Sequence, residues 1–192
     1  MNKETSKTQD RRILRTKRAI RNAFITLLAE KELEKITIKE IAERADVDRK
    51  TVYNYYNGIS AILEELENEF FATIQEAFDE FDFKKQRGME FFDALAALVE
   101  KNFELYELLM RIDRSSRLSA KLVEYVKRKI SFAISWTQGR ALEKINLATE
   151  FVAAGILASY KHYFQGDRKK PLKEFSREMG AIILGGLNGI YF

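Results

Sequence analysis

Apolar residues recur along the chain with a helical period almost from end to end. Ile13, Ile20, Phe24, Leu27 and Leu28 share one stripe of a helix expected over about 10–30, after ten residues expected to form a disordered arm. A short charged connection over 31–35 leads to a second helix, with Ile38, Ile41, Ala42 and Ala45 on its apolar face. Thr37 and Glu40 have the S/T-x-x-E spacing of a capping box, so Thr37 marks where that helix starts. Asp46-Val47-Asp48 then makes a tight turn, in which Asp46 tolerates a left-handed backbone and Asp48 caps the helix that follows. On this third helix Val52 and Tyr56 lie four apart and pack inward. Arg49, Lys50, Thr51, Tyr53, Asn54 and Tyr55 are left to face outward.

The same period continues after an Asn57-Gly58 turn. A long helix over about 59–83 carries Leu63, Leu66, Phe70, Ile74, Phe78 and Phe81, and its roughly 24 residues span about 36 Å. A helix over about 89–112 buries Phe92, Leu95, Val99, Phe103, Tyr106 and Met110. One over about 116–137 buries Leu118, Leu122, Tyr125, Val126, Ile130, Ala133 and Trp136. The last two helices lack a polar face: between 147 and 160 the only charge is Glu150, and between 179 and 192 there is none. Helices apolar on nearly all sides are buried on two sides, one against their own core and one against a second subunit. That face would be carried by Phe151, Gly155 and Ala158 on the first helix and Ile183, Gly186 and Leu187 on the second. The alternative is a central pair enclosed in a monomer's core. No strand pattern occurs, and the fold expected is all-α with about nine helices. Its organisation would be an arm (1–10), a three-helix helix-turn-helix domain (11–58) and a helical domain (59–192).

Chemistry on the third helix gives the pattern a function. Its outward side chains are cations, phenols and amides, which suit phosphates and base edges. Charge points the same way. Residues 1–60 hold 14 Lys and Arg against 9 Asp and Glu, whereas the rest holds 19 against 20. Within 1–21 the count is 8 against 2, an electrostatic footprint suited to a phosphate backbone. An enzyme is a poor reading, since the chain has no cysteine, one histidine and no glycine-rich phosphate loop. The acids of the long helix, Glu64 and Glu65 among them, read as a solvated face, because no nucleophile or metal-ligand partner accompanies them. No catalytic residue, metal ligand or cofactor is expected. The amino terminus has no apolar leader and no run reaches the length of a membrane span, so a cytoplasmic protein is expected.

The run from Thr51 to Tyr56, with the arginine-rich helix before it and the long helix after it, resembles the tetracycline-repressor (TetR) family of bacterial transcription regulators over about 12–70. The resemblance implies a homodimer that binds a near-palindromic double-stranded operator. Thr37 matches the second-helix threonine that touches phosphate, and Thr51 and Tyr53 match residues of the recognition helix. By position, Lys39, Arg49, Lys50, Asn54 and Tyr55 join them as candidate DNA contacts. A carboxyl-terminal pocket for a small apolar or aromatic effector is also implied, with Phe103, Tyr106, Tyr125 and Trp136 on its helices, unless these are simply core. Two positions depart from the family. Asp46 replaces the usual turn glycine, and Ile59 replaces the lysine that reaches a phosphate at the start of the fourth helix. The second departure leaves open a coactivator or nucleoid-associated interaction protein on the same scaffold, with reduced DNA binding.

Overall fold

A computed structural model describes residues 3–81, 88–112, 116–135, 142–166 and 170–190, and in them every regular element is helical. The order is α1 (Lys3–Glu30), a 3-10 turn (Leu33–Lys35), α2 (Ile38–Arg44), α3 (Arg49–Tyr55), α4 (Ile59–Glu80), α5 (Gly88–Lys101), α6 (Phe103–Arg111), α7 (Ser116–Ser135), α8 (Leu142–Gln165) and α9 (Leu172–Ile190). The helix α1 runs from Lys3, earlier than the start expected near residue 10. Residues 3–10 contain no glycine or proline to interrupt helical hydrogen bonding. The single helix expected over 89–112 is two, broken at Asn102, which has φ −132° and ψ 40° and caps α6. No helix among the described residues is long and apolar enough to cross a membrane.

The chain divides into two compact units, Met1–Asn68 and Glu69–Phe192. The division falls inside α4, ten residues beyond the expected boundary. The first turns of α4 belong with the smaller unit because Ile62 and Leu66 are fully buried there and Glu65 bonds to Lys17 and Tyr56. In that unit Ile20, Phe24 and Leu27 of α1 are buried together with Ile41, Val52 and Tyr56, while α1 packs on α2 and α2 on α3. Removing a ring such as Phe24 from a core of this kind costs about 3–5 kcal/mol.

In the larger unit α5 packs along α9 and α7 along α8. Phe91 is the hub of an aromatic cluster, with ring centroids 4.5 Å from Phe78, 5.3 Å from Phe81 and 5.5 Å from Phe92. At the α5–α9 crossing a Cβ on Gly180 would stand 2.5 Å from the Phe92 ring, so only glycine permits that approach. A buried relay ties the same helices to α8. Ser176 Oγ donates to Phe92 O at 2.8 Å and lies 2.9 Å from Tyr160 Oη. A serine has one hydroxyl proton, so Tyr160 must be the donor to Ser176. Burial pushes the Tyr160 phenol up to about 12, which keeps it a neutral donor.

Candidate nucleic-acid interface and apolar cavity

The reading hairpin is built from its caps. Thr37 Oγ1 accepts from Glu40 N at 3.3 Å, and the Glu40 carboxylate accepts from Thr37 N at 3.0 Å and from Thr37 Oγ1 at 2.8 Å. Lys31 pairs with the other carboxylate oxygen. Lys31 first, and then Thr37, hold Glu40 down from 4.5 to about 2. The stabilisation is therefore complete above the ordinary carboxylate value and is lost as pH falls toward about 2. Glu40→Gln keeps an acceptor for the box but removes the ionisation. Its unfolding temperature should depend less steeply on acid than that of the native protein between about pH 5 and pH 2. Parallel melting curves across that range would show that the Lys31 pair contributes nothing. The Thr37 hydroxyl proton is already committed to Glu40, so Thr37 reaches a phosphate only by giving that bond up.

Asp46 takes φ 52°, the left-handed conformation expected of the turn, and Val47 N closes it on Ala42 O at 3.0 Å. Asp48 occupies the N-cap of α3, but its side chain makes no capping hydrogen bond, contrary to expectation. The cap residue's contribution here is its carbonyl, which accepts from Val52 N at 3.2 Å.

On α3, Val52 and Tyr56 are buried, and Arg49, Lys50, Tyr53 and Asn54 are exposed. Thr51 and Tyr55 are half-buried on the flank of the helix, not fully outward as expected. The exposed four join Thr37, Ile38 and Lys39 around one open concavity, so the start of α2 and the outer face of α3 form a single surface. Ile38 is its apolar member and was not anticipated as part of it. Lys39 lies 3.8 Å from Glu43, while among the described residues Arg49 and Lys50 have no acidic partner.

Glu65 is the residue the pattern missed. It is half-buried on α4, where Tyr56 Oη donates to it at 3.0 Å and Lys17 Nζ approaches to 2.6 Å. Arg21 Nε stands 3.9 Å away, and Lys17 Nζ lies 5.2 Å from the centre of the Tyr56 ring. One carboxylate thus ties the end of α3 to both α1 and α4. In a sequence it looks like any other acid on a solvated helix face. Gly58, at φ +136°, turns the chain into α4, and Ile59 is half-buried at its first position.

The larger unit contains a partly open apolar cavity of about 60 Å³, bounded by α4 to α8. Of the four aromatic candidates, Tyr106 lines it, together with Phe70, Phe78, Tyr160 and Phe164. Tyr125 does not: its hydroxyl lies 3.2 Å from both Gln75 O and Asp79 Oδ1, which share its one proton, and its ring stands edge-on to Phe71 and Phe78. Phe103 packs on Phe164 at 5.3 Å and does not line the cavity, and Trp136 lies outside the described residues.

A second uncovered surface runs along α8 and α9. Leu147 and Phe151 are 75% and 78% exposed, and Ile182 is 76% exposed. These values rule out a central pair enclosed by a monomer's own core. Ala158 and Gly186 are exposed, and a Cβ added to Gly155 or Gly186 would meet nothing within 4 Å. Ile183 is half-buried, in register with buried Ser176, Met179 and Gly180, so it lies off this face. The Leu187 side chain lies outside the described residues. His162 is exposed, in line with Leu147, Phe151 and Ala158 on α8.

The sequence model of the bacterial regulatory proteins of the tetR family matches residues 20–66. An uncharacterized HTH-type transcriptional regulator of Bacillus subtilis (strain 168), YxbF, is 36% identical over 63 residues, which are 32% of this chain and 17% of that protein. Among solved structures, a TetR transcriptional regulator from Streptococcus agalactiae 2603V superposes with a TM-score of 0.69. It is 21% identical, with 93% of this chain and 98% of that one covered. FadR from Bacillus subtilis, a transcriptional regulator solved in complex with stearoyl-CoA, gives 0.67 at 19% identity, with 88% and 97% covered. Both likenesses extend the similarity of fold through the larger unit.

Proposed function

We propose that this chain, whose residues 20–66 match the tetR family of bacterial regulatory proteins, is a member of that family: a homodimeric DNA-binding repressor of transcription that acts in the cytoplasm and answers to an apolar effector. The observation that carries the reading is the outer face of α3. It presents Arg49 and Lys50, without acidic partners among the described residues, beside exposed Tyr53 and Asn54, on a helix held by Val52, Tyr56 and Glu65. These side chains can take phosphates and base edges. The exposed apolar face of α8 and α9 supports the dimer, with Phe151, Gly155, Ala158 and Gly186 in it. Two-fold symmetry would set two recognition helices about 34–36 Å apart, or a multiple of that, on a near-palindromic operator.

The cavity supports an apolar effector, as does the likeness to a regulator solved with stearoyl-CoA. If effector and operator favour different arrangements of the dimer, each weakens the other by the same factor. Selection of bound sequences from a random duplex pool, at low and near-physiological salt, tests the DNA reading. The expected product is an inverted repeat bound with a steep salt slope. Recovery of no preferred sequence would instead favour a coactivator or nucleoid-associated scaffold. That second reading draws on one feature, the half-buried Ile59, which puts no cation at the start of α4.

A further inference from the structure

Cations of the amino-terminal unit differ in whether an acid neutralises them. Lys31, Lys35, Lys39 and Arg44 each have a glutamate within 4 Å. Among the described residues, Arg11, Arg12, Arg15 and Arg18 of α1 have none, a property they share with Arg49 and Lys50 of α3. No acid occurs anywhere from Arg11 to Ala29. Like charges at helical spacings repel, so this half of α1 carries an unfavourable arrangement that no acid among the described residues relieves.

Register sharpens the pattern. Arg11, Arg15 and Arg18 follow one another at i, i+4 and i+7, on the side of α1 opposite buried Ile20, Phe24 and Leu27. The three span about 10 Å along the axis. On another flank of α1, Lys17 bonds Glu65 and lies over the Tyr56 ring, which ties this helix to the end of the recognition helix. A row of guanidinium groups on the unit that carries the reading helix complements a run of phosphates, each of which a guanidinium can hold through paired N–H donors.

We infer that Arg11, Arg15 and Arg18 form a second DNA contact, gripping the sugar-phosphate backbone that flanks the groove entered by α3. The inference rests on the reading of α3 as a DNA-binding helix. Contacts to phosphate carry no sequence information, so the stripe adds affinity and steep salt dependence without altering which operator is chosen.

The test is a triple variant of the full chain, Arg11→Gln, Arg15→Gln and Arg18→Gln, titrated with a mixed-sequence duplex and with the selected operator over a salt series. The slope of log affinity against log salt should fall by about 2.7 per protomer, since each phosphate contact contributes about 0.9. The order of preference among sequences should be unchanged. Arginine-to-lysine changes at the same positions should restore most of the slope, which excludes a mere loss of fold. A native slope in the triple variant, with Lys50→Ala still weakening binding, overturns the stripe and leaves the DNA reading intact. Failure of the native protein to bind either duplex removes both. Arginine- and Leu14-dependent binding to phosphatidylserine vesicles, with the DNA slope unaffected, would assign the stripe to a membrane surface and overturn the proposal.

Discussion

Phe151→Glu is expected to convert the dimer to monomers while leaving each protomer folded. The side chain is 78% exposed in the protomer, so the substitution removes nothing from its core. In a two-fold dimer the same patch meets itself, and one substitution acts twice. Covering a phenyl ring is worth about 1.5–3 kcal/mol. Two such losses, before the cost of enclosing two carboxylates, raise the dissociation constant by about 100-fold or more. Sedimentation equilibrium over a dilution series measures this. An unchanged mass at every concentration would show that the α8–α9 face is not where the subunits meet. Gly155→Ala adds a finer test, because its Cβ has open space in the isolated protomer. Helix propensity alone should stabilise the protomer by up to about 1 kcal/mol. Weaker dimerisation in spite of that gain would place a partner's helix close against Gly155.

What the sequence made legible is what depends on neighbours along the chain. The capping box of Thr37 and Glu40, the left-handed Asp46 and the burial of Val52 and Tyr56 all follow from side chains within four residues of one another. The break at Asn102 was hidden because Phe92, Leu95, Val99, Tyr106 and Met110 keep helical phase across it. Hydrophobic spacing cannot register an interruption that preserves its phase. Glu65 and Ile182 were hidden for another reason. A half-buried carboxylate bridging three helices, and an exposed isoleucine in the uncharged carboxyl-terminal half of α9, acquire their meaning from residues distant in sequence. The cavity shows the same limit. Periodicity placed Tyr106 and Tyr125 both inside, but only the structure separates a ring lining the void from one whose hydroxyl is spent on Asp79 and Gln75.

The largest loss of DNA binding should come from Tyr53→Ala and Lys50→Ala, and the two should differ in kind. Tyr53 is 56% exposed on the outer face of α3, so its ring and hydroxyl are available to a partner at no cost to the fold. A base contact is worth about 1–3 kcal/mol. Counted once per half-site, its removal should lower affinity for the selected operator at least about 30-fold. Because no charge is lost, the salt slope should stay as in the native protein. Lys50 has no acidic partner among the described residues, so a phosphate would be its first. If it holds one, Lys50→Ala should weaken binding to all sequences alike and reduce the slope by about 0.9 per protomer. A fall in preference for one position of the operator, with little change in slope, would make Lys50 a base reader instead. In both variants the dimer should persist, since neither side chain belongs to the larger unit that carries α8 and α9. Loss of the dimer in either would mean that the substituted side chain packs and does not read, and the DNA-binding face would have to be sought elsewhere on the amino-terminal unit.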